Sequence, residues 1–256
     1  MKNLSLPYRE EGKGYNRLVL RTVGIIFTIL GLLPGSIAPD HRWLLGFQWA
    51  AFAIFAYMLA EGLEKANFRG LYFGRLAFFA AITEAPYNLF VGGTINNPFY
   101  QSVMFTLLIG YVMILGVDFI KKQFNNMIIT FAAMVAFTLL GDYLITELRC
   151  QFANYGMYII MIFYVFRHVR YGRIFATISI IYIAFYVSTI SLTTIKISGI
   201  QHIISPQSFA LVGMLFTRFY SGERGPNNLG IRYASYLFYP VALLLLYFMK
   251  KLGVSI

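Results

Sequence analysis

Apolar runs recur along the whole chain, separated by short polar stretches that carry most of its charge. A helix needs about 20 predominantly apolar residues to cross roughly 30 Å of hydrocarbon. A window of that length predicts nine spans, near Leu18–Ile37, Trp43–Ala60, Leu71–Val91, Pro98–Phe119, Asn126–Ile145, Phe152–Phe166, Ile174–Thr194, Ile200–Thr217 and Ile231–Phe248. The sixth is short, and the connections between spans are short as well. The expected fold is therefore all-α: a polytopic transmembrane helical bundle of about nine spans, forming one integral membrane domain over 1–256. Within it, 1–17 precede the bundle, 18–248 form it and 249–256 make a short tail. No internal repeat or low-complexity segment stands out.

Composition agrees with the pattern. Of 256 residues, 59% are hydrophobic and only 12% charged, about half the charged fraction of a soluble domain. Water-facing surface needs charge, whereas lipid-facing surface penalises it. The net charge of +11 would suit a nucleic-acid binder only if the basic residues gathered on one face. They are scattered between apolar runs, so no nucleic-acid partner is expected and membrane lipids are.

The scatter also carries orientation, because Lys and Arg accumulate in cytoplasmic loops. With nine spans and a cytoplasmic N-terminus, sixteen of the 21 basic residues fall inside. Only Arg42, Arg149, Lys196, Lys250 and Lys251 fall outside. The expected C-terminus is then outside. The single Cys150 excludes an internal disulfide and reads as an inert thiol at a helix end.

Candidate chemistry is sparse. The sequence holds no P-loop, paired-cysteine metal site or nucleophile elbow, and no metal is expected. Glu84 stands inside the third span, two residues before Pro86 and nine after Arg75. One reading makes it a partner in an internal salt bridge, or a hydrogen-bond partner near the backbone that Pro86 disrupts. The other makes it a carboxylate that faces substrate or handles a proton. Asp40-His41 is an acid beside an imidazole in a short loop, a pairing that can orient a base and that also occurs in ordinary solvated turns. In TRFYSGERGPNN, residues 217–228, Gly222 and Gly225 flank Glu223 and Arg224. Glycine permits close backbone approach and Arg grips phosphate, so the loop is either a cofactor contact or a tight turn. The cluster RHVRYGR, residues 167–173, reads as a topology anchor at anionic headgroups.

Two blocks carry a resemblance. The run FAIFAYMLAEGLEKANFRGLYFGRLAFFAAITEAPYNL, from Phe52 to Leu89, and the pair FYSGERG (Phe219–Gly225) with RYASYLFYPVALLLLYF (Arg232–Phe248) resemble the TraX family of bacterial membrane proteins. The shared pattern is an apolar helix ending in Glu-Gly, a Tyr-x-x-Arg-Leu start, a Glu-x-Pro kink, a Tyr-x-Gly-x-Arg-Gly loop and a terminal Phe-Tyr-Pro helix. A weaker match around Tyr155, Gly156 and Phe163–Arg167 lies between them.

The resemblance implies an acyltransferase-like protein of the bacterial cytoplasmic (inner) membrane, because the family is associated with acetylation of conjugative pilin. Acetyl-coenzyme A is the implied donor, approaching from the cytoplasm, and a peptide amine, protein or envelope component the implied acceptor. On that reading Glu84, His41 and Asp40 serve catalysis, and Arg224, Gly222, Gly225 and Tyr220 hold the donor. Glu61, Arg75, Asn88 and Tyr239 line the substrate cavity. The chain departs from the family pattern where Gly31 and Leu32, Ala242 and Gln151 stand at usually polar positions. A fold-retaining binding or accessory subunit is the alternative, and a small transporter a more distant one.

Overall fold

The structure, a computed structural model, describes residues 14–66, 68–97, 99–167, 169–187, 193–197, 200–223, 225–226 and 228–254. These residues form nine α-helices: α1 (Arg17–Leu32), α2 (Leu45–Lys65), α3 (Arg69–Gly92), α4 (Val103–Phe124), α5 (Met127–Glu147), α6 (Ala153–Phe166), α7 (Gly172–Tyr182), α8 (Ala210–Arg218) and α9 (Leu229–Lys251). Each falls on one of the nine apolar runs.

Only five helical stretches among the described residues are long and apolar enough to cross a membrane: Arg17–Gly35, Arg42–Lys65, Val103–Phe124, Met127–Glu147 and Gly230–Lys251. The expectation of nine full spans is corrected on that measure. At 1.5 Å per residue, the 14 residues of α6, the 16 of the helical stretch Gly172–Val187 and the 9 of α8 reach about 21, 24 and 14 Å, short of a 30 Å core. α3 has the length, with 24 residues, but it carries Arg69, Arg75 and Glu84.

The seventh and eighth runs depart furthest from expectation. α7 continues into a wider turn at Ile183–Val187, and strands β1 (Thr193–Ile197) and β2 (Ile200–Ile204) then pair antiparallel, with Thr193 opposite Ile204 and Ile197 opposite Ile200. The segment TTIKI/IQHII is dense in β-branched residues, which favour a pleated strand over a helix. Apolar content alone does not separate the two.

The described chain gathers into two compact units. One comprises α1, α2 through Phe55, the residues from Val165 through α8, and α9 through Phe238. α1 begins where Asn16 caps it, its Oδ1 accepting from the backbone N–H of Leu18 and Val19 at 3.1 and 3.2 Å. It buries Leu20, Gly24, Thr28 and Gly31, spaced to make one stripe, and leaves Val19, Ile26 and Ile29 exposed. The core is built on close backbone approach and aromatic edges. A Cβ on Gly213 would lie 2.1 Å from the Ala50 carbonyl oxygen, while Phe27, Phe47, Phe209 and Phe216 pack ring against ring at 5.2–5.5 Å.

The other unit comprises α2 from Ala56, α3, α4, α5, α6 through Tyr164 and α9 from Tyr239. α4 and α5 form an antiparallel hairpin across Asn125 and Asn126: Asn125 takes the left-handed conformation, and Asn126 caps α5. Gly116 receives the Phe137 ring, and Gly141 receives Met113 and Met157, so small residues let these helices approach closely. The outer face of α5 is apolar and open, with Met127 89%, Ile128 79% and Phe131 67% exposed. That is the surface expected against lipid tails rather than water.

Gly213→Ala should lower the melting temperature in detergent by several degrees, since overpacking a close backbone contact costs about 1–3 kcal/mol. Gly74→Ala, with nothing within 4 Å of the new methyl, should leave it unchanged or slightly raised.

Candidate functional site

α3 places Glu84, Tyr87 and Asn88 on one helical face, at spacings of three and four residues. Tyr87 and Asn88 are buried. Pro86 lies inside the same turn, so this stretch of backbone lacks one helical hydrogen bond. Glu84 is half-buried, and its Oε2 accepts from the backbone N–H of Ser102 at 3.4 Å. Ser102 is the N-cap of α4. The carboxylate therefore sits at the amino end of a 22-residue helix, where the backbone dipoles favour negative charge.

Much of this cluster's hydrogen-bonding capacity is unused. Asn88 and Ser102 flank the Glu84 carboxyl group, and Asn88 Nδ2 donates to Ile95 O at 3.4 Å. Glu84 Oε1, Asn88 Oδ1 and Ser102 Oγ are all buried and have no hydrogen-bond partner. Ser102 is 0% and Asn88 3% exposed. A buried polar atom left unpaired costs about 1–3 kcal/mol.

The α5–α6 turn closes the cluster. Gln101 N–H donates to Arg149 O at 3.2 Å, Gln151 N–H to Gln101 O at 2.9 Å, and Thr106 Oγ to Gln151 O at 2.6 Å. Tyr239, buried in α9, donates its hydroxyl to Gln151 Oε1 at 3.1 Å. Arg149, Phe152 and Ala153 adopt φ of 51°, 71° and 44°, each a conformation that costs a non-glycine residue on the order of 1 kcal/mol. Cys150 lies between them, 4% exposed. Burial, with a smaller effect from Glu84, pushes its thiol up to about 12. At neutral pH it is an un-ionised thiol and a poor nucleophile.

Two further carboxylates belong to the same unit. Asp118 Oδ2 accepts from Arg69 Nη1 at 2.7 Å and Oδ1 from the Tyr164 hydroxyl at 2.6 Å, while Tyr111 donates to Arg69 O at 2.8 Å. Asp142 Oδ2 accepts from Tyr158 at 3.1 Å, and its Oδ1 is buried without a partner. Sequence reasoning passed over both, although an acid within or at the end of an apolar run was the available signal. Ser102 and Tyr87 were also passed over as site residues, and nothing in the linear pattern marked them; Gln151 was noted only as a departure from the family pattern.

The residues singled out from sequence are dispersed. Glu84, Asn88 and Tyr239 share the cluster just described. Glu61 is fully buried, but it pairs with Lys65 one turn along α2, at 2.8 Å. Arg75 projects from the opposite side of α3 to Glu84, because nine residues rotate a helix by about half a turn beyond two full turns. Its Nε donates to Leu71 O at 3.2 Å and its guanidinium lies 6.0 Å from the Tyr72 ring centroid. An internal salt bridge to Glu84, part of one of the two sequence readings, is not formed among the described residues. Asp40 and His41 are exposed in a turn of the first unit, where the His41 N–H donates to Ala38 O at 3.1 Å.

The loop at 219–225 belongs to that first unit and runs beside the start of the described chain. Tyr15 N–H donates to Phe219 O, Ser221 N–H to Tyr15 O and Arg17 N–H to Glu223 O, at 2.9–3.1 Å. The Tyr15 hydroxyl donates to Phe216 O, and burial raises its pKa above the usual tyrosine value. Tyr220 is buried. Gly222 and Gly225 take φ of 91° and 63°, and the Cβ position of Gly225 is filled by the Asn16 side chain at 2.8–3.1 Å. This glycine is accounted for by packing inside the protein, so it does not by itself make a phosphate cradle. Arg224 lies outside the described residues.

A family model described as TraX protein matches residues 41–250. No curated protein and no solved structure gives a match.

Two predictions follow from the geometry. Cys150, as the single thiol, should resist alkylation by N-ethylmaleimide in the folded protein at pH 7 and react promptly in SDS. Mass spectrometry should show the native rate rising about tenfold per pH unit below the thiol's pKa, because only the thiolate attacks. Asp118→Asn should destabilise by about 1–3 kcal/mol, since it weakens two donor contacts in a partly screened site. Glu84→Gln should stay within about 0.5 kcal/mol, because its amide oxygen still accepts from Ser102; melting curves in detergent compare the two.

Proposed function

The chain belongs to the TraX family, and from that premise we propose that it is an integral membrane acyltransferase that acylates a primary amine, with Glu84 taking the amine's proton. The observation that supports this most directly is the set of unpartnered buried atoms beside Glu84. Glu84 Oε1 and Asn88 Oδ1 are acceptors, and Ser102 Oγ can accept as well. A group that satisfies all three must bring several donors, as a primary amine or ammonium does.

The roles of the chain's own residues follow from that geometry. The Ser102 N–H and the amino end of α4 favour the carboxylate form of Glu84, the form that accepts a proton. Asn88 Oδ1 and Ser102 Oγ orient the amine by accepting its remaining hydrogens. As the amine nitrogen attacks the acyl carbonyl, the new C–N bond forms and the nitrogen's proton passes to Glu84 Oε1. Acetyl-coenzyme A, the donor implied by family resemblance, would supply a thioester; as its C–S bond breaks, the coenzyme A thiolate would leave and take up the proton held by Glu84. Tyr239 and Gln151 close the far side of the amine site through their mutual hydrogen bond.

The basic-residue bias supports a cytoplasmic N-terminus in a bacterial inner membrane. The acceptor is then the amine of a peptide, protein or envelope component. A binding or accessory subunit is the second reading, and Gln151 favours it. It is a neutral amide where the family pattern has an acid, and it is engaged by Tyr239.

Titrating the purified protein with acetyl-coenzyme A, and comparing amine acetylation in cells with and without the gene by mass spectrometry, separates the two. The enzyme reading expects saturable binding and a lost acetylated product. It also expects Glu84→Gln to fold normally while acetylation falls by about 10²–10⁴-fold, the usual contribution of a general base. No donor binding, with unchanged cellular acetylation, leaves the accessory reading.

A further inference from the structure

We propose that the turn between α6 and α7, together with the end of α8, is a docking site for the phosphate headgroup of an anionic phospholipid. Arg170, Arg173 and Arg218 are all exposed. The sequence contains no Asp or Glu between Glu147 and Glu223. No ion pair engages these three arginines among the described residues. α7 and α8 pack together, with Thr177 Oγ 3.5 Å from Met214 Sδ. Ser205, before α8, donates its Oγ to the carbonyl of Ala184, past the end of α7, at 2.6 Å, so the two helices run antiparallel; Arg173 precedes the Thr177–Met214 contact by four residues and Arg218 follows it by four, which brings both to the same end of the pair.

The turn is fixed in shape. Gly172 N–H donates to Val169 O at 2.9 Å, and a Cβ on Gly172 would meet the Phe166 carbonyl oxygen, so only glycine fits there. Phe166 and Phe175 stack at 5.8 Å across the turn. Arg170 sits 5.5 Å from the centroid of the Tyr171 ring, which holds the cation beside an aromatic face.

The neighbours select a lipid as the occupant. Val169, Tyr171, Ile174 and Phe175 are 42–58% exposed. A soluble phosphate compound gains nothing from an open rim of apolar and aromatic side chains. A phospholipid does: its phosphate meets the arginines while its glycerol and upper acyl chain cover the rim. Three guanidiniums without carboxylates favour an anionic headgroup over a zwitterionic one, whose own cation they repel.

The test uses purified protein in a mild non-ionic detergent, titrated with phosphatidylglycerol or phosphatidylcholine and read by native mass spectrometry and thermal stability. Phosphatidylglycerol should be retained and should raise the melting temperature, with phosphatidylcholine giving a weaker effect on both. Arg170→Gln/Arg173→Gln/Arg218→Gln should weaken phosphatidylglycerol retention by tenfold or more, at about fivefold per cation near a lipid surface. The corresponding triple Lys variant, which keeps the charge, should retain it and controls for folding. Equal retention of the two lipids, or undiminished phosphatidylglycerol retention by the Gln variant, overturns the proposal. Adenosine 3′,5′-bisphosphate stabilising the protein as strongly as the lipid also overturns it, by making the arginines a nucleotide site. Loss of acyl transfer has no bearing on these readouts, so the two proposals fail separately.

Discussion

Hydrocarbon offers no hydrogen-bond donors, so a carboxylate held among apolar helices keeps its charge only with donors from the protein itself. The structure meets that constraint to different degrees at each acid. Asp118 receives Arg69 and Tyr164, one on each oxygen. Glu61 receives Lys65 from the next turn of its own helix. Asp142 receives Tyr158 on one oxygen only. Glu84 receives a single long bond from the Ser102 backbone and shares the amino end of α4. Where the donors are complete, the acid cross-links helices. Where they are incomplete, a buried oxygen is left without a donor.

The neighbouring α5–α6 turn is strained. The turn carrying Cys150 and Gln151 holds three non-glycine residues at positive φ within five positions, and each needs compensation from its surroundings. The compensation is local: a backbone pairing with Gln101, a hydroxyl from Thr106 and a hydroxyl from Tyr239. The same pairing sets the backbone at Gln101, next to the Ser102 N–H on which Glu84 depends. A turn remote from α3 in sequence thereby governs the acid of α3.

Glycine serves the two units in two ways. At Gly213, Gly116 and Gly141 it lets helices close to distances that any Cβ would forbid. At Gly222 and Gly225 it lets a loop turn through left-handed conformations and, at Gly225, press against Asn16. From spacing alone the second use is indistinguishable from a phosphate-binding loop, because both need the same backbone freedom.

The family, the helical membrane character and the positions of nine apolar segments were legible in the linear sequence, since bilayer thickness and helix rise turn composition directly into length. Glu84 was legible too, as an acid where lipid penalises charge. What the sequence did not settle was which segments are long helices, because β-branched runs such as TTIKI and short segments such as α8 are as apolar as true spans. Nor did it reveal Ser102 or Tyr87, the contact of Gln151 with Tyr239, or the separation of Arg75 from Glu84. Those depend on which faces meet across helices far apart in the chain. Only the tertiary structure decides that, because burial and hydrogen-bond completeness belong to the arrangement of neighbours rather than to any residue alone.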